Sequence, residues 1–250
     1  MKSTISLFVS EFPYIQEDKR ELCRRYQAQI DGLLQSLFEL GTENVAKIFA
    51  RFTWFLYADG KTSACESFER IAVDIQTKSL GAEHLDTLRS MDNLASTYRG
   101  QGRVGEAVAL EEEVLEKCRQ ILGAEHPDTL RSMGNLASTY WAQGRAGEAV
   151  ALQKEALEKC RQILGAEHPD TLTSMNNFAL MYWAQGRTRE AAALQEEALE
   201  KRRRILRAEH LHTLTSMNNL ASMYSAQGRM REAAALQEEV LWRRKKLERV

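Results

Sequence analysis

Within HPDTLRSMGNLASTYWAQGRAGEAVALQKEALEKCRQILGAE (126–167), apolar side chains recur twice at helical spacing, with one break between. Leu130, Met133, Leu136, Ala137 and Tyr140 form one stripe, which predicts a helix over about 127–143. Pro127 suits its first position, because its missing N–H would be unpaired there anyway. Asp128 then sits beside the positive end of the helix dipole. Gly144 can take the left-handed conformation that stops the helix. Ala149, Leu152, Ala156, Leu157, Cys160 and Ile163 form a second stripe, predicting a helix over about 146–164 that Gly165 ends. Glu155, Glu158 and Lys159 fall on its wet side. The unit is therefore a helix hairpin joined by a short Gln-Gly-Arg turn.

This hairpin repeats every 42 residues. His84, His126, His168 and His210 share that spacing, and so do Asn93, Asn135, Asn177 and Asn219. Tyr98, Tyr140, Tyr182 and Tyr224 follow it, then Gly102, Gly144, Gly186 and Gly228. A fixed period of this size marks an array whose units bury their apolar faces against one another. Near-identical units cannot each hold a different catalytic role, and no Ser/His/Asp or Cys/His constellation occurs, so no enzyme is expected. No GxxxxGK[ST] phosphate loop occurs either, and no cofactor is expected. Histidines about 10 Å apart cannot share a zinc, whose bonds are near 2 Å; a helix-start role suits them better.

These residues resemble the tetratricopeptide repeat of the kinesin light chain type, as found in fungal repeat-containing receptors. The family's unit reads roughly HPDxxxxxNNLAxxYxxQGxxxEAxxLxxxALxxxxxxLG, against HPDTLTSMNNFALMYWAQGRTREAAALQEEALEKRRRIL at 168–206. The departures are Leu85 and Leu211 for the proline, His212 for the aspartate and Arg207 for the last glycine. The resemblance implies an all-α, right-handed superhelical solenoid of antiparallel hairpins. Its expected divisions are an N-terminal capping helix region (1–41), a degenerate repeat (42–83), repeats at 84–125, 126–167 and 168–209, and a C-terminal repeat at 210–250. In the worn repeat, Phe68 aligns with Leu110 and Val73 with Leu115; Leu22, Tyr26, Ile30 and Leu37 carry the capping-helix stripe.

The resemblance also implies a non-enzymatic scaffold or adaptor that takes a peptide or partner segment in a concave groove lined by each unit's first helix. There the matching Asn93, Asn135, Asn177 and Asn219 contact the peptide backbone. On the residues alone they lie about 140° from Leu88, Leu130, Leu172 and Leu214, off the apolar stripe. An asparagine bonding a neighbouring helix is the other reading. Arg89 and Arg131, with Thr173 and Thr215 at the same register, offer a clamp for an acidic peptide. Asp92, Gly134, Asn176 and Asn218 vary within a repeated frame, which suits ligand reading by Asn176 and Asn218 and equally suits drift. Trp141 and Trp183 suit packing, with ligand stacking as the alternative. A looser resemblance, at the segment before the repeats, is to fungal receptors that fuse a nucleotide-binding switch domain to such arrays. It implies a sensor or self-assembly arm working with an ATPase in trans. No sustained heptads precede the repeats, so motor-linked transport is not carried over.

Charge refines the partner. The net charge is −1, which gives no bulk attraction to nucleic acid or membrane. Residues 81–200 hold 12 Lys/Arg against 19 Asp/Glu, a net of −7, while 201–250 hold 12 against 5, a net of +7. That asymmetry suits a solvated outer face or a head-to-tail contact. Val240, Leu241, Trp242 and Leu247 are expected to leave an apolar end, through which the C-terminal helix self-associates. Cys23, Cys65, Cys118 and Cys160 read as free thiols in a reducing compartment, and a cytoplasmic location follows.

Overall fold

Pro127 and Pro169 open helices, glycines with positive φ close them, and the chain between is helical. The computed structural model describes residues 62–206 and 208–247. The expected capping helix and the first helix of the worn repeat lie outside these residues. Among the described residues are nine helices and no strand: α1 (Thr62–Leu80), α2 (Leu85–Gly100), α3 (Val104–Leu122), α4 (Pro127–Ala142), α5 (Ala146–Ile163), α6 (Pro169–Ala184), α7 (Thr188–Ile205), α8 (Leu211–Ala226) and α9 (Met230–Leu247). The fold class is an all-α solenoid of helix hairpins. The chain forms two compact units, one ending at Ile121 and the other beginning at Leu122.

In the first unit α1 packs on α2. Leu94, Ala95 and Tyr98 of α2 bury against Ala107 of α3, with Val73 of α1 and Leu110 of α3 alongside. Phe68 is buried. The second unit stacks three hairpins, α4–α5, α6–α7 and α8–α9. Each following hairpin sets its first helix against both the preceding second helix and the preceding first helix. Small residues permit this approach: Ala149, Ala156, Ala191 and Ala198 are fully or almost fully buried. Leu130, Met133, Leu136 and Ala137 are buried as their spacing predicts.

Each hairpin start carries the same hydrogen bonds. The Nδ1 atoms of His84, His126, His168 and His210 accept from the N–H two residues on, at 3.2 Å. The histidines are thus N-caps, satisfying a donor that the first turn leaves orphaned. The hydroxyls of Thr87, Thr129 and Thr171 donate to the carbonyls of Gly81, Gly123 and Gly165, tying each first helix to the turn that leads into it.

The turns are locked in the same repetitive way. Gly144 takes φ +86°, and the Arg145 N–H returns to the Tyr140 carbonyl at 2.9 Å. The Arg145 guanidinium then lies 3.7 Å from the Tyr140 ring centroid, and Arg187 and Arg229 stack equally on Tyr182 and Tyr224. The outer edge of each arginine grips the glutamate three residues on, as Arg145 does Glu148 at 2.8 and 2.6 Å. Those hydrogen bonds hold the carboxyls of Glu148, Glu190 and Glu232 below the ordinary range.

Two expectations are corrected. Ile163, placed inward by its spacing, is 41% exposed, because it ends α5 at the last turn, beyond the packed part of the stripe. Val240, expected in the bare apolar end, is buried, whereas Leu241 and Trp242 are exposed. The Leu247 side chain lies outside the described residues.

Candidate functional site

The first helices of adjoining hairpins touch in the second unit, so residues at one register on α4, α6 and α8 form a continuous row. Asn135, Asn177 and Asn219 occupy such a row and are half-buried. An amide there offers a donor and an acceptor together. The row is not uniform. Asn219 Nδ2 donates to Asn176 Oδ1 at 2.9 Å, so this asparagine ties α8 to α6. Among the described residues, no hydrogen bond of that kind leaves the Asn177 side chain, which stands beside Asn176 on α6. Asn218 is half-buried, and its carbonyl accepts from Ser222 at 3.1 Å. Asn93 and Arg89 stand exposed on α2, in the first unit.

The arginines are partly engaged. Arg131 Nη2 lies 2.6 Å from Asp128 Oδ1, and Arg89 Nη1 lies 3.6 Å from Asp86 Oδ1. Each thus spans to the aspartate in its own helix's first turn. Thr173 and Thr215 donate to the carbonyls of Pro169 and Leu211, four residues back, and are spent on their own helices. Trp141 packs with Ala137, Ala149 and Met181, whereas Trp183 is exposed.

Behind the row lies a glutamine register that sequence reasoning missed. Gln153 and Gln195, one period apart, are fully buried on α5 and α7. Gln153 Nε2 donates to the carbonyl and hydroxyl of Ser174 at 3.1 and 2.7 Å. Gln195 Nε2 donates to the Ser216 carbonyl at 3.2 Å and to Asn176 Oδ1 at 3.1 Å. Asn176 is therefore a joint between hairpins. The signal was available: a polar residue at an alanine-flanked register, repeated after 42 positions.

Arg202 was also missed. It takes the register of Cys118 and Cys160, yet it is only 3% exposed. It donates to the Leu172 carbonyl, the His212 carbonyl and the Ser216 hydroxyl, all neutral acceptors. Burial pulls its pKa down. Partial desolvation, then the Arg202 charge and His210, hold the His212 imidazole below its ordinary value. Cys65, Cys118 and Cys160 are free and buried. Among the described residues no group of three His, Cys, Asp or Glu side chains is placed to hold a metal ion, and no helix is long and apolar enough to cross a membrane.

Family profiles described as tetratricopeptide repeat match residues 87–128, 137–204 and 189–246. No curated protein sequence matches significantly. Among solved structures, the putative kinesin light chain nearly identical TPR-like repeats of Podosopora anserina are 34% identical. That match covers 87% of this chain and 97% of the other, with a TM-score of 0.58; a singly substituted form of the same repeats gives 0.60 over the same shares. BtubC (BKLC) from P. vanneervenii shares the fold at 19% identity and a TM-score of 0.67, covering 90% of this chain and 92% of its own. So does the Rap conjugation gene regulator of the plasmid pLS20, solved in complex with the Phr* peptide, at 13% identity and a TM-score of 0.66, over 82% of this chain and 56% of that one.

Proposed function

Because the chain belongs to the tetratricopeptide repeat family, with repeats of the kinesin light chain type, we propose that it is a non-enzymatic scaffold that holds an extended segment of a partner protein. The observation that carries this is the half-exposed asparagine row on α4, α6 and α8. Asn177 presents an amide to a passing peptide backbone, whose own N–H and C=O groups alternate in the same sense, and Asn135 stands at the same register on α4. Arg131 adds a guanidinium edge, so a carboxylate on the bound segment suits the α4 end. Support of a general kind comes from the Rap regulator, a protein of this fold that carries a peptide.

Peptides selected against the full chain from a random display library supply the probe. Asn135→Ala and Asn177→Ala each weaken binding of a selected peptide by about 0.5–1.5 kcal/mol, read by calorimetry. The thermal melt of Asn177→Ala stays close to wild type, since that side chain does not carry the joint made by Asn176 and Asn219. Unchanged affinity in both variants would remove the groove assignment.

A further inference from the structure

A cleft of about 310 Å³ opens in the second unit, away from the asparagine row. Its walls are Leu199 of α7 and Leu236 of α9, and its floor is Leu220 and Tyr224 of α8. Glu196, Glu200 and Arg203 form the rim. One period earlier the corresponding wall residues are Leu157, Leu194 and Tyr182, and there they pack around a ring, Phe178. The Phe178 and Tyr182 centroids are 4.3 Å apart. Position 220 carries leucine, as positions 94 and 136 do, where position 178 carries phenylalanine. The cleft is apolar between Leu199, Leu220 and Leu236, and its volume admits a large side chain.

The same chain presents such a side chain. Trp242 on α9 is 60% exposed. Its register holds Glu116, Glu158 and Glu200 in the preceding repeats, all exposed. Packing between hairpins therefore asks for no aromatic group at that position. Leu241 is different, because its counterparts Leu115, Leu157 and Leu199 are buried. Trp242 also sits in the basic run Arg243–Lys246, and Arg244 and Lys245 are exposed. On the rim of the cleft, Arg203 is taken by Glu239 at 2.7 Å, which leaves the exposed Glu200 as a negative charge beside the opening.

We propose that the cleft receives Trp242 of a second copy of this chain. The indole packs between Leu199, Leu220 and Leu236, and the flanking Arg244 and Lys245 approach Glu200. The contact closes as a symmetric pair, in which each chain gives one tryptophan and receives one. Buried aromatic anchors carry a large share of such contacts. This inference is independent of the asparagine row.

The test is light scattering on the full chain across a concentration series, with three variants. Wild type climbs from 28.5 kDa toward twice that mass. Trp242→Ala, at an exposed site, weakens pairing more than about tenfold. Leu220→Phe raises the cleft floor with the residue native at position 178, and blocks pairing while keeping wild-type helicity and melting. Leu241→Ser leaves pairing intact. A mass that stays at 28.5 kDa at every concentration overturns the proposal. So does pairing that survives Leu220→Phe. So does pairing lost in Leu241→Ser alone, which would assign the contact to end-on stacking of hairpins.

Discussion

His212→Asp should stabilise the protein, although it places a charge next to a largely buried residue. In the hairpins before it, the second residue of the first helix is Asp86, Asp128 or Asp170. Only α8 lacks an acidic residue in its first turn among α2, α4, α6 and α8. The neighbouring Arg202 is a buried cation held by neutral acceptors alone. The two positions are close, since the Arg202 charge acts on His212, just as Asp170 acts on Cys160 one period earlier. An aspartate at 212 therefore meets the helix dipole, worth about 0.3–1 kcal/mol. It also meets the guanidinium, where a charge-assisted hydrogen bond is worth about 1.5–3 kcal/mol. Desolvating the carboxylate takes back part of this, leaving a net gain of about 2 kcal/mol. Urea denaturation at pH 7.5 reads it directly.

A pH series separates this gain from general packing. The folded state holds His212 below its ordinary pKa of 6.5, so it resists protonation more than the unfolded chain does. At pH 7.5 both states are neutral and the site makes no difference. As pH falls below about 6.5 the unfolded chain takes up the proton first, and stability drops until the folded pKa is passed. In His212→Asp that drop disappears, and the aspartate's own contribution is lost only below about pH 4. A variant equal to or weaker than wild type at pH 7.5 would refute the claim that Arg202 lacks a counter-charge. Arg202→Met in the His212→Asp background should erase most of the gain.

Further outcomes follow from the turns and the thiols. Gly144→Ala costs about 1–2 kcal/mol in urea denaturation, all of it backbone strain at φ +86°, because an added Cβ meets nothing within 4 Å. Gly147→Ala, in the first turn of α5 with equally open surroundings, gains about 0.4–1 kcal/mol by the same assay. Burial, reinforced by Glu69 and Asp170 respectively, pushes the Cys65 and Cys160 thiols up to about 11. At pH 8 they should react with a thiol reagent roughly a hundredfold more slowly than in the urea-unfolded chain, followed by peptide mapping.

Helix positions were legible in the sequence because they depend on local chemistry. Pro127 and Gly144 act through their own backbone, and the stripe Leu130–Met133–Leu136–Ala137 needs only a helical period to define a face. The histidine caps were legible as helix starts for the same reason, though the accepting Nδ1 atom was not. The asparagine row was legible only as a register. Whether an asparagine at that register faces a ligand or a neighbouring helix depends on what stands one hairpin away.

The sequence by itself therefore determined the unit, its period, its turn and its family, since each rests on interactions within a few residues or on repetition. The tertiary structure decided which polar side chains join hairpins and which remain available. It made Asn176 and Gln195 a joint and buried Arg202 where a cysteine stood before. Those outcomes come from pairing residues about 20 to 40 positions distant across stacked helices, where a small change of side-chain length or charge is met by a different neighbour in every repeat.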